Sequence, residues 1–246
     1  MSVPWLSTDE PFPTLHQNFN PEPEMPGLIA ISEEISPEQL LRAYSHGIFP
    51  WYSDGQPILW WSPNPRMVLK PKNLKISRSF KKDIKNILLD RDWEIKVDEN
   101  FHETILSCAT QTRYGQDGTW ITHAIIHAYG VLHEQGYAHS VEIFHQGHRV
   151  GGLYCVNIGQ MVFGESMFSK KINASKIALA SLCAWCIAQD IEMIDCQQET
   201  NHLTSLGGKA IPRDEFLAHI KKQCSAKNPK WGFNKNVLSH WLTTHS

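Results

Sequence analysis

Polar side chains that could carry out acid–base chemistry follow two apolar segments in the second half of the chain. Glu165 comes directly after a predicted strand from Gln160 to Gly164, and Asp195 and Gln197 lie in and beside a predicted strand over 192–196. Polar groups that leave a buried strand are costly unless they are paired or used. Asp195 and Gln197 are two residues apart, so both side chains would lie on one face of an extended strand. The pattern indicates a polar site beside two buried strands, whose carboxylates are either used in acid–base chemistry or paired.

Structural roles are the alternative for the same residues. Asp195 would then cap a neighbouring loop or pair with a basic side chain, and Glu165 would form a salt bridge with Lys170 or Lys176. Both interpretations fit the pattern, because a buried carboxylate needs a partner in either case.

A run of positive charge is the second chemical feature. From Arg66 to Lys85 the chain has eight basic residues and one acidic residue, Asp83, although its net charge is −2. Ser77 is a suitable N-cap for a helix over 78–89. Its basic residues share one face, made of Arg78, Lys82 and Lys85 with Lys81 beside them. Such a face is either simply solvated or binds the phosphates of a nucleic acid.

The elements that position these residues follow from periodicity and capping signals. Helices are predicted over 37–45, 78–89, 100–111, 122–135, 173–189 and from 213. Strands are predicted over 94–98, 140–144, 149–156, 160–164 and 192–196. A meander, a helix and a returning strand indicate a mixed α/β sheet within an α+β fold. A change in composition near Pro63 predicts a small N-terminal domain over 1–63 and a larger domain over 64–246.

The bulk composition is that of a globular protein. The 246 residues are 41% hydrophobic and 20% charged, which is enough apolar material for a core. The first ten residues lack the features of a secretory signal, and no stretch approaches the ~20 apolar residues that span a bilayer, so the cytoplasm is the expected compartment. Cys183 and Cys186 have CxxC spacing, but they lie in mid-helix without a second pair, which favours structural cysteines over a zinc site.

Several longer motifs connect these features to a known family. They are Gly47-Ile-Phe-Pro-Trp51, Trp60-Trp-Ser-Pro63, Gly118-Thr-Trp-Ile-Thr122, Ala138-His-Ser-Val-Glu142, and the segments 162–169, 173–176, 194–197 and 202–207. With them the chain resembles the bacterial leucyl/phenylalanyl-tRNA–protein transferases from Phe12 to Trp231. The resemblance implies a small N-terminal domain followed by an acetyltransferase-like (GNAT) mixed α/β catalytic domain.

The implied reaction is aminolysis of an aminoacyl ester. Leucine or phenylalanine, with methionine as a further candidate, would move from aminoacyl-tRNA to the α-amine of a protein that begins with Arg or Lys, which tags that protein for N-end-rule degradation. The resemblance implies a monomer without a metal or organic cofactor and without a membrane partner. Its catalytic residues would be Asp195, Gln197 and Glu165, with Asp195 and Gln197 orienting the attacking amine and Asp195 taking its proton.

The resemblance also implies substrate-binding residues. Trp51 and Trp120 would flank the terminal adenosine or the junction between donor and acceptor. The basic face of the helix over 78–89 would hold the tRNA acceptor stem through its phosphates. The pocket for the donor side chain would be lined by Leu153, Val162, Ser166, Met167, Leu182 and Ile194, most of which would equally serve as plain core residues.

Three other functions are compatible with parts of the sequence. A CoA-dependent acyltransferase of the same fold class would need a glycine-rich turn after the central strand, and residues 165–174 contain no glycine. A non-enzymatic RNA-binding protein would account for the basic helix but not for the carboxylates beside apolar strands. A cell-wall peptide ligase that uses aminoacyl-tRNA would share the fold type but not this set of motifs.

Overall fold

The computed structural model describes residues 3–16, 19–111 and 121–244. The N-terminal part forms a three-stranded antiparallel sheet from β1 (Leu28–Ser32), β2 (Phe49–Pro50) and β3 (Ile58–Trp61), with β3 in the middle. Helix α1 (Pro37–Ser45) connects β1 to β2. The segment before β1 packs against this sheet, since Trp5 pairs with Ile31.

A seven-stranded sheet forms the larger part of the structure. Its strands are β4 (Arg66–Leu69), β5 (Trp93–Val97), β6 (Ala138–His145), β7 (His148–Ile158), β8 (Met161–Ser169), β9 (Ile194–Gln197) and β10 (Lys209–Ile211). They are arranged in the order β10-β4-β9-β8-β7-β6-β5. Strands β8 and β9 pair in parallel because a helix crosses back between them, and the other neighbouring pairs are antiparallel.

The remaining helices lie on both faces of this sheet. They are α2 (Arg78–Leu89), α3 (Phe101–Ala109), α4 (His123–Glu134), α5 (Ala174–Ala188), α6 (Asn201–Ser205), α7 (Arg213–Gln223) and α8 (Asn236–Thr244). The predicted starts of α1 and α2 are confirmed by their caps. The Ser36 Oγ accepts from the Gln39 N–H at 3.1 Å, and the Ser77 Oγ accepts from the Phe80 N–H at 3.1 Å. The predicted mixed α/β architecture after a small N-terminal region is also confirmed.

Two hydrophobic clusters occupy the two faces of the seven-stranded sheet. One contains side chains of α1, α3 and α4 together with Trp60 and Phe163. The other contains side chains of α2, α5 and α8 together with Leu153 and Val162. Because the first cluster includes residues from both sheets, the N-terminal sheet shares its core with the larger one. The domain boundary between residues 63 and 64 stays a prediction.

Two features of the chain differ from the sequence prediction. Strand β8 does not end at Gly164 but continues to Ser169, so Glu165 lies inside a strand rather than at its end. The short strands β1 to β4 and β10, together with α6 and α8, were not predicted. Among them β2, β10 and α6 have two, three and five residues, which is too short to establish a period.

The turn between β7 and β8 depends on a glycine. Gly159 has φ +57°, and a Cβ there would lie 2.2 Å from the Gln223 carbonyl oxygen, which is itself held by the Gln160 N–H at 2.9 Å. Gly55 also has a positive φ of +77°, but no atom lies within 4 Å of a Cβ built there.

Gly55→Ala should therefore lower the free energy of unfolding by only about 1–2 kcal/mol, which is the cost of the left-handed backbone conformation for a residue with a Cβ. Gly159→Ala should lower the free energy of unfolding by about 1–3 kcal/mol more than Gly55→Ala does, because the backbone at the end of α7 must move to make room for the Cβ.

Urea unfolding of both variants measures this difference. Equal losses of unfolding free energy would mean that the close approach between the β7–β8 turn and α7 is not a constraint.

Candidate active site

The candidate site lies where β8 and β9 separate. The two strands pair in parallel at Phe163 and Asp195. Beyond this point β9 ends at Gln197, while β8 forms a bulge against β7. Tyr154 pairs with Ser166 and Cys155 with Gly164, so Glu165 is the extra residue. A bulge interrupts the alternation of a strand and redirects a side chain, here that of Glu165.

Glu165 is the centre of a cluster of polar groups from four elements. Its Oε1 accepts hydrogen bonds from the Tyr44 hydroxyl at 2.6 Å and from Gln197 Nε2 at 3.1 Å. Its Oε2 accepts one from the Tyr129 hydroxyl at 3.3 Å. The two tyrosine hydroxyl oxygens also lie within hydrogen-bonding distance of each other, and since each carries one proton, a hydroxyl that donates to the other tyrosine does not donate to Glu165 at the same time. Helices α1 and α4 and strands β8 and β9 therefore converge on one half-buried carboxyl group.

The surroundings of this carboxyl group change its acidity. Burial raises the pKa of Glu165 to about 8, and the nearby charge of Asp195 adds to the rise, while hydrogen bonds from the tyrosines and the charge of Arg66 oppose it. Burial likewise raises the pKa of Tyr44 and of Tyr129 well above the usual range, and the adjacent carboxylate adds to this. The two phenols therefore remain hydrogen-bond donors, and the carboxyl group can gain or lose a proton near neutral pH.

Asp195 has a different environment from the predicted one. It is completely buried, and its carboxylate forms a two-point ion pair with Arg66, with Nε–Oδ1 at 2.8 Å and a terminal nitrogen to Oδ2 at 2.6 Å. Its Oδ1 also accepts the backbone N–H of Gln197 at 2.9 Å. Since both oxygens are used and neither is exposed, direct contact between this carboxylate and an incoming amine would require a rearrangement.

That the side chains of Asp195 and Gln197 share one face of the sheet stays a prediction, but the extended backbone on which it was based ends before Gln197. Gln197 has φ +63°, so the end of β9 is not extended, and the two side chains go to different partners. Asp195 reaches Arg66, as the structural alternative predicted, and Gln197 reaches Glu165. The alternative in which Glu165 pairs with Lys170 or Lys176 is not what the structure has, because its contacts are to the tyrosines and Gln197.

Three residues of this cluster were missed as functional candidates. Arg66 was counted in the basic segment, but it is fully buried. Tyr44 and Tyr129 lie on predicted helices and their rings belong to the core, but helical periodicity does not account for their hydroxyl groups. An arginine directly before the apolar run 67–69 was the available signal, since a buried arginine needs an acidic partner.

Five of the six predicted pocket residues, all except Ser166, come together on the α5 side of the sheet. Leu153 pairs with Met167 across β7 and β8, and Val162 pairs with Ile194 across β8 and β9. Leu182 on α5 belongs to the same hydrophobic cluster. Met167 is the partly exposed member of this set, whereas the buried Ser166 pairs with Tyr154 of the first cluster and so lies on the opposite face. The role of the set as a side-chain pocket stays a prediction.

The predicted aromatic and basic residues lie at the surface where they are described. Trp51 is 39% exposed and makes an edge contact with Trp61, at 5.9 Å between ring centroids. Trp120 falls outside the described residues. On α2, Arg78, Lys82 and Lys85 are exposed and Lys81 is half-buried. The acidic residue of this helix, Asp83, accepts a hydrogen bond from Asn173 beside α5 at 3.0 Å, so the basic helix is held at the start of α5.

Two kinds of site are not found within the residues that the structure describes. In residues 3–16, 19–111 and 121–244, no group of three or more His, Cys, Asp or Glu side chains could hold a metal ion. In the same part of the chain, no helix has the length and apolar character needed to cross a membrane.

Comparison with known proteins shows strong similarity over almost the whole chain. Residues 68–221 match the family described as leucyl/phenylalanyl-tRNA protein transferase, and residues 33–64 match the N-terminal domain of that family. A leucyl/phenylalanyl-tRNA–protein transferase of Ralstonia pickettii is 54% identical over 240 residues, which is 97% of each chain.

Similarity to solved structures is much weaker. L-PGS from Bacillus licheniformis has a TM-score of 0.39 and 13% identity, covering 70% of this chain and 55% of the other. A GCN5-related N-acetyltransferase-like protein from Streptococcus suis has a TM-score of 0.29 and 15% identity, covering 71% and 63%. Superpositions this partial support no conclusion about the chemistry of this chain.

The raised pKa of Glu165 makes stability depend on pH. Between the usual value of 4.5 and about 8 the folded protein holds a proton that the unfolded chain releases. This contribution to stability is therefore complete below pH 4.5 and is lost as pH rises to about 8, by at most about 1.4 kcal/mol per pH unit. Glu165→Gln has no carboxyl group to titrate here, so only the wild type loses stability as pH rises. The unfolding free energy of Glu165→Gln minus that of wild type should therefore increase from pH 5.5 to pH 8.

Urea unfolding at several pH values tests this expectation. Glu134→Gln, the same change at an exposed position of α4, is the control and should keep a constant difference from wild type. A pH-independent difference for Glu165→Gln would mean that this carboxyl group titrates normally.

Proposed function

This chain belongs to the leucyl/phenylalanyl-tRNA protein transferase family, and we propose that it transfers leucine or phenylalanine from aminoacyl-tRNA to the α-amine of proteins that begin with Arg or Lys. The observation that carries the proposal is the cluster of Glu165, Tyr44, Tyr129 and Gln197 at the opening between β8 and β9. The proposal includes a monomeric cytoplasmic enzyme whose products enter N-end-rule degradation.

The acid–base requirement of this reaction is modest. An ester of tRNA is already activated, and an α-amine has a pKa near 7.7–8.0, so part of it is the free nucleophile at neutral pH. The enzyme must position both substrates, accept one proton and stabilise negative charge on the carbonyl oxygen. Glu165 is suited to accept the proton, because a carboxyl group with a pKa of about 8 matches the amine.

The proposed steps use the polar cluster as follows. The amine nitrogen bonds to the ester carbonyl carbon and gives a proton to the Glu165 carboxylate. The bond between that carbon and the ribose oxygen then breaks, and the ribose oxygen takes the proton from Glu165. Tyr44 and Tyr129 hold the carboxylate by hydrogen bonds. The Gln197 amide, which donates one N–H to Glu165, would donate its second N–H to the carbonyl oxygen.

Asp195 has a positioning role in this proposal rather than the role of the base. Its oxygens are occupied by Arg66 and by the Gln197 N–H, and it holds Gln197 in the backbone conformation from which the amide reaches Glu165. The apolar set around Met167 would receive the donor side chain. Trp51 and Trp120 would contact the terminal adenosine.

A transfer assay with matched acceptors tests the proposed function. Labelled leucine from Leu-tRNA should pass to peptides that begin with Arg or Lys and not to the same peptide beginning with Gly. Glu165→Gln keeps the shape of the side chain but cannot accept the proton, so its kcat should fall by about 10²–10⁴. If folded wild-type protein labels none of the peptides, the proposed function is wrong, and if Glu165→Gln retains full kcat, the proton acceptor is another group.

The exposed face of α2 would bind the acceptor stem of the tRNA. Arg78, Lys82 and Lys85 point to solvent, and no ion pair involves them among the described side chains. Contacts of this kind are to phosphates, so they give affinity without selecting a sequence. The amino acid and the 3′ end would then decide which tRNA is used.

The salt dependence of tRNA binding measures these contacts. Lys82→Ala with Lys85→Ala should weaken binding and lower the slope of log K against log salt by about 2, one unit for each lost phosphate contact. The matched control is the same change at Lys221 and Lys222, two exposed lysines of α7, which should keep the wild-type slope. Equal slopes for both double variants would exclude α2 from the tRNA contact.

A further inference from the structure

We propose that Arg66 is a positioning residue for the transfer site, acting on Gln197 through Asp195 and on the aromatic side of the site through Gly47 and Phe49. This inference rests on the proposed function for its kinetic consequences. Its geometric part, the link from Arg66 to Gln197, does not depend on the identity of the reaction.

The guanidinium of Arg66 is held on every side. In its own plane it donates to both oxygens of Asp195, at 2.8 and 2.6 Å, and to the Gly47 carbonyl oxygen at 3.1 Å. The rings of Phe49 and Phe216 lie 4.7 and 4.6 Å from its central carbon. The side chain is completely buried, so these contacts replace solvent entirely.

Each in-plane partner of Arg66 leads to a different part of the site. Asp195 accepts the Gln197 N–H, and the Gln197 amide donates to Glu165. Gly47 follows α1, the helix that supplies Tyr44, whose hydroxyl also donates to Glu165. The guanidinium is thus connected to the central carboxyl group by two independent routes, one through β9 and one through α1.

The aromatic contact extends the same link to Trp51. Phe49 is two residues before Trp51, and both follow the turn at Gly47 in one short segment. A shift of the guanidinium would therefore change the spacing between Trp51 and the Glu165 cluster. A displacement of about 1 Å between reacting groups is enough to cost about 10²-fold in rate.

Lysine cannot replace arginine in this position. Its ammonium is a point charge with three donors, whereas the planar fork of arginine binds two carboxylate oxygens and stacks between rings at the same time. Buried ion pairs give little net stability compared with apolar replacements. Arg66→Lys should therefore lower kcat by more than its loss of unfolding free energy alone would predict.

A matched control is available in the same sheet. Arg149 faces the buried carboxylate of Glu142 at 3.3 Å, but Glu142 is bound by Asn100 and Ser140 and does not contact the site. Arg66→Lys should lower kcat about 10²-fold with the KM for aminoacyl-tRNA within about threefold of wild type. Arg149→Lys should leave kcat within about threefold of wild type. Circular dichroism and thermal unfolding confirm that each variant is folded at the assay temperature.

A double variant separates positioning from general destabilisation. If Arg66 acts through Gln197, adding Arg66→Lys to Gln197→Ala should lower kcat by much less than it does alone, because residues of one network are not additive. Independent losses that multiply would overturn the link through Gln197.

Two further measurements keep the inference testable in every case. The side-chain amide resonances of Gln197, identified by their absence in Gln197→Ala, should shift in Arg66→Lys and not in Arg149→Lys. This holds even if wild type shows no transfer, a result that would overturn the proposed function alone. If Arg66→Lys does not fold, Phe216→Leu removes one stacked ring and should lower kcat about fivefold or more. Unchanged amide resonances and kcat in the folded variants would overturn the inference.

Discussion

The buried ion pair between Arg66 and Asp195 is the interaction on which the geometry of the site depends. Removing two charges from water is expensive, and the cost is offset only where the geometry is good and the remaining donors and acceptors are satisfied. Here the carboxylate also accepts the Gln197 N–H, and the guanidinium also donates to Gly47. The pair therefore fixes the positions of both the end of β9 and the chain after α1. An apolar contact has no directional preference and would not do this.

A bulge in β8 complements this ion pair. Strand alternation would place successive side chains of β8 strictly on opposite faces, but the extra residue at Glu165 interrupts it. As a result Phe163 belongs to one hydrophobic cluster and Met167 to the other, although they are four residues apart. The polar cluster around Glu165 and the apolar set around Met167 are thus brought next to each other in a sheet that is otherwise packed on both faces.

The acidity of the site follows from the same packing. Tyr44 and Tyr129 carry their hydroxyl groups into the cluster on rings that are fully buried, so the carboxyl group they bind is shielded from solvent. Shielding raises the pKa of Glu165 more than the hydrogen bonds lower it. The carboxyl group can therefore exchange a proton near neutral pH, because the surrounding side chains exclude water on one side and supply donors on the other.

Local patterns in the sequence determined the helix α2 with its basic face, the capped start of α1, the architecture of the central meander, and the position of Glu165, Asp195 and Gln197 in or beside apolar segments. These depend on periodicity and capping, which act over a few residues. Only the tertiary structure decided what each polar group does. Arg66 meets Asp195 from 129 positions away, and Gln197 leaves the extended conformation to reach Glu165. Periodicity reports which side chains are buried, but the partner of a buried charge is chosen by long-range packing, which local patterns do not encode.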